Sequence, residues 1–102
     1  MTQTLLLADG LFEKLNNNDK KVTIRKGRRD IQLGKLVFNG VDDKDLSVDV
    51  EVIEVRHVRV SGVDDETCIK DGFKNWLDFF DGMKTYYPDL KPTDECTIIF
   101  FE

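Results

Sequence analysis

The chain has few of the residues that carry metal and redox chemistry: two cysteines, one histidine and one tryptophan. Cys68 and Cys96 are too far apart for a C-x-x-C zinc knuckle, and two cysteines make no disulfide framework. They read as small buried or half-buried thiols. With His57 as the only histidine, a zinc site would have to draw on carboxylates or an unusual ligand set. No metal and no cofactor is expected, and no Ser-His-Asp or Cys-His constellation can be assembled. Long apolar runs are missing too. The longest, "LLLA" and "TIIFF", fall far below the roughly 18 residues of a membrane span, and the N-terminus has no basic stretch ahead of an apolar one, as a signal peptide has. A soluble, cytoplasmic protein without membrane contact is expected.

What is present is charge, unevenly placed. The 102 residues suit one domain, 1–102, and 40% hydrophobic with 34% charged residues is a globular profile with a heavily charged surface. The net charge is -5, yet Lys20, Lys21, Arg25, Lys26, Arg28, Arg29 and Lys35 put seven of the fifteen Lys and Arg residues in one segment, "KKVTIRKGRRDIQLGK", opposed only by Asp30.

Patterning gives the elements. "TLLL" reads as a short strand, followed by a helix with Leu11, Phe12 and Leu15 on one face and ended by the turn-forming run Asn16 to Asp19. "KKVTIR" alternates, with Val22 and Ile24 towards a core and Lys21, Thr23 and Arg25 on a polar face. "KGRRD" then forms a flexible hairpin tip, and "IQLGKLVFNG" a strand interrupted by glycine. "LSVDVEVIEVRHVRV" is the longest strand signal, and its valines change phase twice, which predicts bulges or a strand bent around a barrel. Asp64 or Asp65 caps a short helix ending near Gly72. A second helix spans Asn75 to Tyr86, with Trp76, Phe79, Phe80 and Met83 at core spacing. "ECTIIFFE" closes the sheet. The fold class is α+β: a small, curved, mostly antiparallel barrel covered by two or three helices.

"NNNDKKVTIR", "IQLGKLVF", the long valine strand, "IKDGF" and "YYPDL" in this order resemble the ASCH domain, a member of the PUA-like barrel superfamily. In that family a helix leads into a G-x-K-T-x-T-x-R strand, an "xLGDxL" strand follows, and an acidic residue stands beside a "GF" or "GY" pair. Here Lys21 stands for a threonine, Lys35 for the acidic residue after Gly34, and Asp71 for a glutamate. The resemblance implies a cleft between barrel and helices that receives a nucleotide or RNA. It also implies, for one branch of small single-domain members, hydrolysis of the amide of N4-acetylcytidine. Matched position by position, that branch's catalytic lysine, threonine and glutamate fall on Lys20, Thr23 and Asp71.

The residues suit that chemistry. Amide hydrolysis requires a nucleophile, a base and a proton source for the leaving amine. Thr23 offers a hydroxyl, a lysine is a base in its neutral form, and Asp71 can orient the lysine or shuttle the proton. Strand alternation favours Lys21, on the face of Thr23, whereas the resemblance favours Lys20. Lys20 is taken as the catalytic residue, with Lys21 and Arg25 lining the same site. Arg25, Lys26, Arg28 and Arg29 form the expected phosphate-binding patch, since guanidinium groups meet phosphates in bidentate fashion.

A Lys/Thr/Arg face also fits an ordinary solvated strand, and the basic loop can equally balance the acidic "VDDKD" loop. Tyr86 and Tyr87 are candidates for base contact, and His57 reads as a structural or phosphate-side residue. The alternatives to an enzyme are a non-catalytic RNA-binding module, or a regulatory protein that presents its acidic second half to a protein partner.

Overall fold

The structure, a computed structural model, describes residues 3–17 and 20–102. The chain runs β1 (Gln3–Leu7), a 3-10 turn (Asp9–Leu11), α1 (Phe12–Asn16), β2 (Val22–Lys26), β3 (Gly34–Gly40), β4 (Ser47–Arg59), a second 3-10 turn (Val60–Gly62), α2 (Asp65–Lys70), α3 (Trp76–Tyr86) and β5 (Glu95–Phe101). The strands form one sheet in the order β1-β3-β4-β5-β2. Three pairings are antiparallel, and β1 lies parallel to β3. The sheet curls into a half-barrel with β1 and β2 as its two edges. Asn17 follows α1 as its C-cap, while the expected turn residues Asn18 and Asp19 lie outside the described residues.

Alternation along β5 explains how one sheet serves two cores. Cys96 and Ile98 join Val22, Ile24, Val60, Phe79 and Met83 beneath α2 and α3, with Phe100 packed alongside. Ile99 and Phe101, pointing the other way, join Leu5, Leu7, Leu36, Phe38, Phe12 and Leu15 inside the curl. The helical stripe behaves as its spacing requires: Phe79 and Met83 are buried, and the half-buried rings of Trp76 and Phe80 stack at 5.1 Å.

Of the two expected phase changes in β4, the first is a bulge. Val52 pairs with Phe101 and Glu54 with Phe100, which leaves Ile53 extra. The second involves no irregularity, since the register runs unbroken from Glu54 to Arg59. Val55 packs into the inner core and Val58 into the helix-covered one, so the strand changes which of its faces is buried. "KGRR" is not a hairpin tip either. β2 and β3 are not neighbours in the sheet, so residues 27–33 cross from one side of the half-barrel to the other.

Candidate functional site

Lys20 immediately precedes β2, where its backbone N–H donates to Lys14 C=O at the end of α1 (3.2 Å). Its side chain lies inward, only 5% exposed. Its Nζ donates to Val22 C=O (2.9 Å) and to the Asp71 carboxylate in a short ion pair.

Asp71 reaches that pair because of how α2 ends. Gly72, at φ 103°, takes the left-handed conformation. Phe73 N–H then bonds back to Cys68 C=O and Gly72 N–H to Ile69 C=O, both at 3.0 Å, closing the helix with a Schellman motif. The reversal leaves Asp71 as the C-cap and brings Phe73 into the same cleft. Gly82 makes room for that ring: a Cβ there would lie 2.5 Å from Phe73 Cε1.

The cleft has a volume of about 470 Å³ and lies between the ends of β1 and β2, under the last turn of α3. Its apolar lining includes Leu6, Leu11, Val41, Phe73 and Tyr86, and of these Leu6 (58%), Val41 (52%) and Tyr86 (65%) are exposed large hydrophobic residues. Its charged lining sets Lys14, Lys20 and Arg25 against the single carboxylate of Asp71. A chain of net charge -5 thus lines this cleft with an excess of cations.

Thr23 lies beside this group and is buried, although β2 was expected to be polar on that face. The curl of the half-barrel covers it, and its Oγ1 accepts a hydrogen bond from Arg25 Nε (3.2 Å). Burial pushes the Asp71 carboxyl above its ordinary range, against the pull of Lys20, Arg25 and Lys14. Burial likewise lowers Arg25, with Arg29 adding to the effect and Tyr87 and Asp71 opposing it.

Lys20, Thr23, Arg25 and Asp71 therefore converge, whereas the other expected site residues do not. Lys21 is exposed and lines a separate groove with Ile53, Lys70, Phe100 and Glu102, away from Thr23. Lys26, the last residue of β2, and Arg28 and Arg29, on the crossover loop, lie beyond Arg25 and do not line the cleft. The loop is pinned down: Thr97 Oγ1 donates to Gly27 C=O (2.7 Å) and accepts from Arg29 N–H (2.8 Å). His57 Nδ1 lies 3.2 Å from the same hydroxyl, which gives His57 a structural place. Among the described residues, none of the ion pairs involves Lys26, Arg28 or Arg29. The "VDDKD" turn instead binds Asp9, whose carboxylate accepts from Asp42 N–H (3.2 Å) and Asp43 N–H (3.0 Å).

Sequence reading missed Lys14 and Phe73. Lys14 carries only the ordinary signal of a polar residue opposite the Phe12 and Leu15 face. Phe73 stands in the "GF" pair that marked Asp71, and that pair was the available signal. Among the described residues, no cluster of His, Cys, Asp or Glu has the form of a metal site, and no helix is long and apolar enough to cross a membrane.

No protein-family model and no curated protein matches the sequence. Solved structures do match its fold. An ASCH domain from Lactobacillus crispatus superposes with a TM-score of 0.79 at 10% identity, covering 99% of this chain and 78% of that one. A mutant ASCH protein from Zymomonas mobilis gives 0.69 at 10% identity, covering 99% and 67%. A protein from Enterococcus faecalis, of a family of unknown function, gives 0.68 at 13% identity, covering 100% and 79%. The likeness is one of fold: the chain has the α+β half-barrel of an ASCH domain.

Proposed function

We propose that the cleft binds a nucleoside or nucleotide, free or within RNA, and hydrolyses the amide of an N4-acylated cytidine such as N4-acetylcytidine. The observation that carries this reading is the buried Lys20–Asp71 pair in a cleft lined by apolar and cationic side chains, with Thr23 and Arg25 among them. The apolar lining suits a base, and Arg25 suits a phosphate or ribose oxygen. The resemblance of "KKVTIR" and "IKDGF" to the ASCH pattern supports Lys20, Thr23 and Asp71.

Burial that raises Asp71 makes its carboxylate a better acceptor for a proton from Lys20, because the neutral acid is easier to bury than the anion. The neutral amine of Lys20 takes the Thr23 hydroxyl proton as Oγ1 bonds to the acyl carbon. The C–N bond then breaks, and the leaving nitrogen of cytidine takes the proton held by Asp71. Water cleaves the acyl-threonine ester, giving acetate and restoring the hydroxyl.

Incubation of the protein with N4-acetylcytidine, followed chromatographically, is expected to release cytidine and acetate. Lys20→Ala and Thr23→Ala variants that keep the native circular dichroism spectrum are expected to release none. Turnover unchanged in both would overturn the catalytic reading. Cytidine binding without turnover would leave a non-catalytic nucleotide or RNA module.

A further inference from the structure

β2 is an edge strand, and its outward main-chain groups have been used selectively. In an antiparallel ladder alternate residues direct their N–H and C=O to the neighbouring strand, and those between direct them away. Phe101 N–H donates to Lys21 C=O (3.0 Å) and Gly27 N–H donates to Glu95 C=O (2.8 Å). The odd-numbered residues of β2 therefore bond to β5, and Val22, Ile24 and Lys26 direct their groups to the open seam of the half-barrel. Two of these three carbonyls are occupied: Lys20 Nζ donates to Val22 C=O (2.9 Å), and Arg29 Nε donates to Lys26 C=O (3.3 Å). Among the described residues no side chain caps the carbonyl of Ile24 between them. Ile24 borders the cleft, although its side chain packs with Val22 and Met83 in the helix-covered core. The residue is only 4% exposed, and main-chain groups so placed are costly to leave unpaired.

We infer that the Ile24 N–H and C=O read the ligand, pairing with the adjacent acceptor and donor on one edge of a nucleobase. This inference rests on the nucleotide reading of the cleft and names how the base is recognised. On cytosine, ring N3 accepts from Ile24 N–H while the exocyclic N4–H donates to Ile24 C=O. An N4-acyl group leaves one N4–H and N3 in place, so acylated and free cytosine present the same pair. An added peptide strand would need the outward groups of successive alternate residues, and Lys20 and Arg29 have taken the carbonyls on both sides. The opening that remains is one residue wide, which suits the edge of a base. Lys20 has a second part here as a positioning residue, closing one end of the opening while it holds Asp71.

The test is a titration of the 15N-labelled protein with cytidine 5′-monophosphate, followed by amide NMR. It is repeated with the 3-deaza analogue, which has C–H in place of the ring acceptor. The Ile24 amide is expected to shift and its hydrogen exchange to slow, and the analogue should bind roughly tenfold more weakly for one lost hydrogen bond. Shifts at Thr23, Arg25 and Phe73 with an unmoved Ile24 amide, and equal binding of the analogue, would overturn main-chain reading while leaving nucleotide binding intact. No shift at any cleft residue would overturn both.

Discussion

Helix α2 carries an aspartate at each end, and the two sit in opposite circumstances. Asp64 is exposed at the N-cap, where its side chain accepts from Thr67 N–H (2.8 Å). That bond holds its carboxyl below the usual range. Asp71, at the C-cap, is 7% exposed in its side chain, and burial pushes its carboxyl upward. It also stands at the helix end whose dipole disfavours an anion. Asp64 serves local structure. Asp71 opposes it, and is held by cations far away in sequence, Lys20 first, with Arg25 and Lys14 adding to it. A carboxylate held against local preference, in a cleft, is a candidate functional residue, which supports the role proposed for Asp71.

The comparison breaks most visibly at Asp71. Asp71→Ala leaves the Lys20 ammonium buried and unpaired, which is expected to cost about 3–5 kcal/mol in chemical denaturation. The double variant Lys20→Met with Asp71→Leu is expected to recover most or all of that loss while abolishing N4-acetylcytidine turnover. A double variant as unstable as the single would show that the pair is structural.

Asp64→Ala should cost about 1 kcal/mol, the usual worth of an N-cap, and leave cytidine binding unchanged. The two sites also differ in pH dependence. The folded pKa of Asp64 is depressed, so its contribution is present above the unfolded carboxyl range and is lost as pH falls through the folded value. The folded pKa of Asp71 is raised, so its contribution is present below the unfolded range and is lost as pH rises through the folded value. Denaturation midpoints of wild type and Asp64→Ala are expected to converge on acidification, and parallel curves would contradict the cap assignment.

The smallest effect is expected beside the largest. Lys21→Ala, next to Lys20 in sequence but exposed outside the cleft, should change stability by no more than about 0.5 kcal/mol and leave turnover intact. A large loss of turnover in Lys21→Ala would return the catalytic role to the residue that simple alternation favours.

Much of this was legible in sequence because hydrophobic periodicity and capping are local. The inward face of Val22 and Ile24, the Trp76 to Met83 stripe, the Asp64 cap and the gathering of cations between Lys20 and Lys35 each depend on neighbours a few residues away. The resemblance to the ASCH pattern then pointed to the fold and to Lys20, Thr23 and Asp71. Tertiary structure alone decided that Lys20 rather than Lys21 lines the cleft with Thr23, since Lys20 meets Asp71 at the end of a helix far away in sequence. It also decided that Thr23 is buried, that "KGRR" crosses the sheet, and that Lys14 and Phe73 share the cleft. These depend on strand order and on the closing of a curved sheet, where contacts form between segments far apart in the chain and burial is set by what arrives on the other side.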